Sequence, residues 1–380
     1  LQGRSTVVKL TISSGIDKIL ILFLFRSYSG SRYKRMHILL ITQAFPESES
    51  DESSVVYLQN YVTCLIENPS VHLTVVALQY PFEKRQYSWK GIQVCALGNF
   101  KKPRLAKVLS WIPLILKLIR MGRKTPFTHI HVLWLKEGAF IGYILKKILG
   151  IPMSCTLMGT ELNVKNPFSF LGKKNTIRFI TVSPFHEQQF INRFPDAEPV
   201  TIPWGIMPVK GSIPRQKSTD ILFVGYLSKT KDFDLFLDIV KEVVAEKPDL
   251  KAGVIGDYFG LESFIQQAEQ KGIKDNITFF GLLANNEVLE RMKTSKILLH
   301  TSSYETQGYA MLEALAHGMY VVSRQVGIAE ASERWHIADN KNDFVEIIRN
   351  ILSRYQPLET YVPYTMEETC RKYLKIYSNP

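Results

Sequence analysis

Cysteine is scarce in this chain: four residues in 380, at Cys64, Cys95, Cys155 and Cys370. Their spacing fits neither a zinc site nor a disulfide framework, and the simplest setting for them is a reducing cytosol. Long apolar runs are missing as well. No stretch reaches the ~20 apolar residues needed to span a bilayer. There is no internal repeat and no low-complexity region. Helix-turn-helix, zinc and RNA-motif patterns are also missing, so the net charge of +12 does not make nucleic acid the expected partner. Acidic residues are in short supply at the front only: residues 1–35 carry +6, residues 36–206 carry +8 and residues 207–380 carry −2. A basic front half suits an acidic membrane surface or a phosphorylated lipid acceptor.

Apolar residues make up 46% of the chain, enough for two cores and a two- or three-domain protein. Residues 1–35 differ in character from the rest of the chain. The apolar run 19–25, flanked by Lys18 and Arg26, is too short to span a bilayer and precedes no small-residue cleavage site. Met36 stands directly before a good strand. We expect translation to start there and residues 1–35 to be an upstream extension outside the fold; the alternative is a membrane-touching anchor.

From Met36 onward, apolar runs alternate with helix-like stretches, the pattern of parallel α/β architecture. Strands are expected over 37–42, 72–78, 92–96, 129–133, 153–156, 179–182 and 200–202. Helices are expected over 53–67, 104–121, 138–149 and 184–193. This makes one Rossmann-like lobe, 36–206. Residues 207–218 hold two prolines, two glycines and several charges without a period, and read as a linker. A second alternation occupies the lobe 219–364: strands over 221–224, 252–255 and 277–280, helices over 233–246, 261–271 and 286–294. A last helix is expected over 366–377, within a C-terminal segment 365–380. The stretch 104–124 has basic residues at about every third position and a Trp111–Pro113 core; it reads as a domain helix with a solvated stripe or as a membrane-surface contact.

The most informative segment is 297–323, ILLHTSSYETQGYAMLEALAHGMYVVS. A strand enters a polar loop carrying Glu305, Gly308 opens a helix holding Glu313, Gly318 closes it, and a strand over 320–322 comes next. Such a unit puts the loop and the helix N-terminus at the ligand-binding edge of a parallel sheet. The N–H groups of Gly308, Tyr309 and Ala310 would face an anion there, and two carboxylates would accept from hydroxyls on either side. A nucleotide-diphosphate sugar has phosphates in the middle and polyols at both ends.

Glu305, seven residues and Glu313, within ETQGYAMLEALAHG, resemble the signature of the retaining glycosyltransferases of family 4, which have the GT-B fold. The resemblance covers most of 36–377. The stretch ending in MGTEL resembles the family's His-Gly-Thr-Asp element. ITVSPFHEQQFINRFP followed by VTIPWGI resembles its serine-initiated helix and Ile-Pro-Asn-Gly turn. ILFVGYLSKTKDFDLFLDIV resembles its Val-Gly-Arg-Leu…Glu-Lys-Gly segment. The implied fold is α/β: two doubly wound parallel-sheet lobes facing a central cleft, front lobe for the acceptor, rear lobe for the nucleotide sugar, and a C-terminal helix crossing back.

The implied catalytic residues are Glu305, beside the donor sugar, and Lys231, on the phosphates. The implied donor-binding set is Gly225, Tyr226, Leu283, Thr306, Gln307, Gly308, Tyr309, Ala310 and Glu313, the last on the ribose. Met158, Gly159, Thr160, Glu161 and Trp204 are expected at the acceptor side or in the cleft. Several positions depart from the family pattern: Met158 replaces His, Tyr226 replaces Arg, Asp232 replaces Gly, Glu161 replaces Asp and Trp204 replaces Asn. Asp232-Phe233-Asp234 mimics an Asp-x-Asp metal motif, but at a helix start we expect Asp232 to be an N-cap. His186 and His317 are expected to be structural.

No cofactor and no metal are expected, the nucleotide sugar being a substrate. The expected activity is retaining, metal-independent transfer to a saccharide or lipid-linked acceptor in surface polysaccharide or glycolipid assembly. It would take place in the cytoplasm or at the inner membrane face, with a peripheral contact to acidic membrane. The competing readings are a degenerate sugar-nucleotide-binding protein and an epimerase of the same fold; a phosphorylase and a solute-binding protein are weaker.

Overall fold

In the computed structural model of the chain, residues 35–162, 165–209, 211–227, 229–256 and 261–379 are described, and the expectations for residues 1–34 lie outside them. The apolar runs become the central strands of two sheets. The front sheet contains β1 (Met36–Ala44), β2 (Val71–Tyr80), β3 (Arg85–Trp89), β4 (Ile92–Ala96), β5 (His129–Leu133), β6 (Met153–Thr156), β7 (Arg178–Thr181) and β8 (Val200–Thr201). Their spatial order is β3-β4-β2-β1-β5-β6-β7-β8, parallel except for the antiparallel edge pair β3–β4. The rear sheet is wholly parallel: β9 (Thr219–Val224), β10 (Ala252–Ile255), β11 (Ile277–Gly281), β12 (Ser295–His300), β13 (Tyr320–Ser323) and β14 (Trp335–Ile337), in the order β11-β10-β9-β12-β13-β14.

Strands covered on both faces must be apolar throughout. Ile38 to Ile41 in β1 and Ile297 to Leu299 in β12 are buried to within 1%. The covering helices of the front lobe are α1 (Val56–Ile66), α2 (Arg104–Lys124), α3 (Glu137–Leu149) and α4 (Pro184–Arg193). Those of the rear lobe are α5 (Phe233–Glu246), α6 (Leu261–Gln270), α7 (Asn285–Lys293), α8 (Tyr309–Ala316) and α9 (Lys341–Ser353). The two-lobed α/β fold is thus the one expected. The elements β3, β14 and α9 were not.

The last helix, α10 (Met366–Ser378), returns to the front lobe. Its Met366, Cys370, Tyr373, Ile376 and Tyr377 join one buried cluster with Ile38, Leu40, Tyr61 and Trp204. Burial of each large side chain contributes about 1.5–3 kcal/mol. Several polar groups on this face are paired, as burial favours. His131 Nε2 meets Thr156 Oγ1 at 2.9 Å and its Nδ1 meets Tyr377 OH, while Tyr373 OH accepts from Trp204 Nε1 at 3.0 Å. An isolated bridge between Ile206 and Thr365 joins the chain just before and just after the rear lobe.

In each sheet the strand order reverses once, between β1 and β5 in front and between β9 and β12 behind. Loops diverge at such a point and leave a crevice at the carboxyl ends of the strands, where ligands of α/β proteins bind. Glu305 comes after β12 and Lys231 after β9, so both stem from the rear crevice.

Candidate active site

The loop after β9 makes a short 3-10 turn, Lys229–Lys231, before α5. Thr301 Oγ1 donates to the Lys231 carbonyl at 2.7 Å, and Ser303 N donates to the Thr230 carbonyl at 2.8 Å. The two crevice loops are therefore laced together. The Lys231 ammonium donates to Glu305 Oε1, which also meets His300 Nε2 at 2.9 Å. Burial holds His300 below the usual imidazole value, so at neutral pH it is an uncharged Nε2–H donor. Burial works against ionisation of Glu305, but the hydrogen bond from His300 and the Lys231 charge outweigh it and hold its carboxyl at about 2. Glu305 is an ionised, oriented carboxylate at working pH.

Glu313 is shifted the opposite way. It is half-buried in the second turn of α8, no described residue bonds its carboxyl, and burial raises its pKa to about 8. Pairs of acids driven apart by their surroundings mark sites where carboxylates have different tasks. Between them lies the α8 N-terminus. Gly308 has φ +86°, and a Cβ there would meet Met311 Cε at 2.0 Å, so no other residue fits without a shift. No described residue accepts from the N–H groups of Gly308, Tyr309 or Ala310. They are three of the first-turn donors that every helix leaves unbonded, at the positive end of its dipole.

Asp232 corrects an expectation. It precedes α5 but has φ +50°, in the left-handed region, and makes no cap. That backbone favours the glycine the family carries there. Its carboxylate instead pairs with Arg324 Nη2 at 2.9 Å, and Arg324 Nη1 donates to the Thr301 carbonyl at 2.7 Å. Arg324 stands just past β13 and was missed, as was His300. Both are polar residues at or beside the carboxyl end of a parallel strand, the one sequence signal that could have found them. Tyr226 is exposed beside Gly225, and a Cβ on Gly225 would lie 3.3 Å from Lys231 Cε. Leu283 is half-buried and packs on the rear core.

The rest of the signature loop grips the front lobe. Thr306 Oγ1 donates to the Met158 carbonyl at 3.1 Å, and Ser183, which caps α4, donates to the Thr306 carbonyl. Gln307 clasps the Trp204 backbone, accepting from its N–H at 2.9 Å and donating to its carbonyl at 2.6 Å. Tyr309 OH donates to the Gly205 carbonyl at 3.0 Å. The amide of Gln307 and the hydroxyls of Thr306 and Tyr309 thus join the lobes instead of turning to a ligand.

Two expected cleft residues are buried, Trp204 in the packing role favoured for it and Glu161 against expectation. Trp204 is 1% exposed, its ring 4.6 Å from that of Tyr61. Glu161 is also 1% exposed, and its Oε1 accepts from Met158 N at 2.9 Å. A ring with an apolar cluster on hand packs into it, and a short acid three residues past a turn closes that turn. Thr160 opens that short turn, Thr160–Leu162, Gly159 lies beside Trp134 Nε1, and Met158 is half-buried at the lobe junction. His186 and His317 are buried, and burial keeps His186 neutral at about 4.

Residues 210–365 match the family model described as glycosyl transferases group 1. That match takes in the whole domain of the rear lobe, less than half of the chain. Among curated relatives of this domain, the gpi3 subunit of phosphatidylinositol N-acetylglucosaminyltransferase from Schizosaccharomyces pombe is 27% identical over 117 residues, 30% of this chain and 26% of that protein. Alpha-monoglucosyldiacylglycerol synthase from Streptococcus pneumoniae is 30% identical over 103 residues, 27% of this chain and 23% of that protein. The chain thus spans about a quarter of the length of these relatives. Spore coat protein SA of Bacillus subtilis is 25% identical over 50% of this chain and 59% of its own.

Solved structures extend the likeness of fold beyond the matched residues. Sucrose-phosphate synthase from Thermosynechococcus elongatus aligns at a TM-score of 0.68 and 16% identity, covering 90% of this chain and 95% of its own. Anabaena HepE in complex with UDP and glucose aligns at 0.67 and 16% identity, covering 91% and 100%. Both share the two-lobed architecture described here.

Proposed function

We propose that the protein transfers a sugar from a nucleotide-diphosphate sugar to a saccharide or lipid-linked acceptor, with retention of the anomeric configuration and without a metal. One observation carries the reading: an ionised carboxylate, Glu305, held by Lys231 and His300 beside the open first-turn amides of the helix that bears Glu313. The solved relative that holds UDP and glucose, and curated relatives whose names include phosphatidylinositol and diacylglycerol, support the donor and acceptor classes.

Glycosyl transfer separates a diphosphate anion from an oxocarbenium-like sugar, and electrostatic preorganisation at both is the main lever. The amides of Gly308, Tyr309 and Ala310 and the Lys231 ammonium meet the departing diphosphate. Glu305, ionised throughout, lies on the side of the developing positive charge. Glu313, short of partners and desolvated, accepts from the ribose hydroxyls. Tyr226 brings no charge where the family has Arg, and we assign the second cation to Arg324. The Arg324 guanidinium donates to the Thr301 carbonyl and the Thr301 hydroxyl donates to the Lys231 carbonyl, so Thr301 joins the two residues' loops in one crevice. In a same-face transfer the leaving phosphate takes the acceptor's proton, so no protein base is required.

Release of labelled sugar to acceptor by wild type, unaffected by EDTA and abolished in Glu305→Ala, is the expected result. Equal transfer by the two proteins would refute the role of Glu305. A metal requirement would refute the metal-free step. The alternative, a sugar-nucleotide-binding protein without turnover, is favoured by Tyr226 and Met158 in place of the family's Arg and His. It predicts calorimetric binding of nucleotide sugar and no transfer across an acceptor panel. Protection against heat by one of UDP-, GDP- or ADP-sugars would name the base.

A further inference from the structure

Helix α2 covers the front sheet poorly for its length. Of its 21 residues only Leu114, Leu118 and Gly122 are buried. Its outer face is not polar, as a helix between core and water should be. Leu105, Val108, Leu109, Ile112 and Leu116 are 45–71% exposed, and their spacing of three, four, seven and eleven from Leu105 places them on one side. Two rings continue the strip. Phe82, just after β2, and Phe100, after β4, are 61% and 52% exposed, with ring centroids 5.2 Å apart. Lys107 Nζ donates to the Phe100 carbonyl, which ties that pair to the first turns of α2.

Among the described residues fourteen large hydrophobic side chains are exposed, and these seven are half of them. At about 100 Å² each they make a patch of several hundred Å², a size that marks an interaction surface on a soluble protein. The charge on α2 and just before it has one sign. Helix α2 contains Arg104, Lys107, Lys117, Arg120, Arg123 and Lys124 and no acidic residue, and Lys101 and Lys102 precede it. None of these eight cations forms an ion pair with a described residue. Exposed leucines framed by unpaired lysines and arginines complement an anionic lipid surface, where acyl chains take up the side chains and headgroups the charges.

We infer that the outer face of α2, with Phe82 and Phe100, is a docking surface for an anionic bilayer. Phe82 and Phe100 leave the carboxyl edge of the front sheet, and α2 starts from it. Met158, Ser183 and Trp204, which touch the rear-lobe loop, lie on that same edge. Docking therefore brings the front edge, which faces the site, down to the membrane plane. Among the described residues no helix is long and apolar enough to cross a membrane, so the contact lies along the surface.

Co-sedimentation tests this with vesicles of phosphatidylcholine alone or with about one-third phosphatidylglycerol, with no nucleotide sugar present. The expected result is sedimentation with the anionic vesicles only. Binding should fall at least tenfold in Leu109→Asp/Ile112→Asp, and in Arg120→Glu/Lys124→Glu, with unchanged melting temperatures because all four side chains lie on the outer face. Arg120→Glu/Lys124→Glu should also lose most of the salt dependence of binding. Equal pelleting of wild type and Leu109→Asp/Ile112→Asp would overturn the inference. So would a dimer seen by light scattering that dissociates in that variant while wild type ignores vesicles, since the face would then belong to a second copy. Vesicle binding needs no sugar transfer, so failure here and failure of the proposed reaction are told apart.

Discussion

The two sheets present their carboxyl edges to each other, and the two edges carry different chemistry. The front edge offers groups that are buried or bonded within the fold: Glu161 with Oε1 on its own turn, Trp204 in an aromatic cluster, and backbone carbonyls of Met158, Trp204 and Gly205 each with a donor. The rear edge concentrates charge held in pairs, Lys231 with Glu305 and Arg324 with Asp232, beside the desolvated Glu313 and three open amides. Reactive electrostatics can thus be confined to one half of a two-lobed protein, while the other half supplies the contacts that hold it in place.

The sharpest test of this contrast compares the two buried acids nearest the junction. Glu305→Gln should lower turnover by about 10²–10³-fold, the usual cost of one preorganised charge. Glu161→Gln should leave turnover near wild type, because the amide oxygen still accepts from Met158 N. Steady-state rates in which Glu161→Gln fails as badly as Glu305→Gln would abolish the distinction between the edges.

Arg324 comes next. Its replacement by Gln should weaken nucleotide-sugar binding by about 1.5–3 kcal/mol, the range for a hydrogen bond to a charged group, or about ten- to a hundredfold in Kd. Titration calorimetry reads the change. Unaltered affinity would remove Arg324 from the phosphate site and leave Lys231 as its cation.

Gln307 sharpens the structural side. Gln307→Ala leaves the Trp204 N–H and carbonyl buried and unbonded, which should cost about 1–3 kcal/mol of stability. The lobes should then unfold less cooperatively in urea, with separate transitions by fluorescence and by circular dichroism. A single transition at the wild-type midpoint would mean that the clasp contributes nothing.

The same contrast between acids can be read in pH. Glu305, held at about 2, adds stability that is complete above the usual carboxylate value and is lost as pH falls from there towards 2. Glu313, raised to about 8, keeps its proton in the folded state after the unfolded chain has lost it, so stability declines as pH rises from about 4.5 to about 8. Glu313→Gln should flatten only the upper limb of a Tm–pH curve, and Glu305→Gln only the lower. If Glu313→Gln leaves the upper limb sloping, its carboxyl is not desolvated.

Much of the fold was legible because buried parallel strands must be apolar runs, and helices between them repeat at a helical period. The edge strand β3 escaped because RQYSW alternates polar and aromatic residues, and β14 because three residues carry no period. Helix α9 is different: Asn340 caps it with Asp343, and Phe344, Val345, Ile348 and Ile351 recur at helical spacing, so its signals were present and unread. Within the site, spacing located Glu305, Glu313 and Gly308 on their elements. It was silent on Arg324 and on the bond from the helix-opening Ser183 to Thr306, whose partners lie 92 and 123 residues away in sequence. It misread Asp232, because a residue type that favours caps cannot reveal a positive φ.

Tyr373 and Tyr377 complete the cluster that β1 begins, so the interior of the first lobe contains atoms from near the far end of the polypeptide. On a ribosome adding about 5–20 residues per second, roughly ten to thirty seconds separate residue 206 from residue 377. Throughout that interval the nascent first half keeps Leu40, Tyr61 and His131 uncovered on one face. Its maturation therefore waits for the second half to be made, and holdase chaperones have a defined apolar target in the meantime.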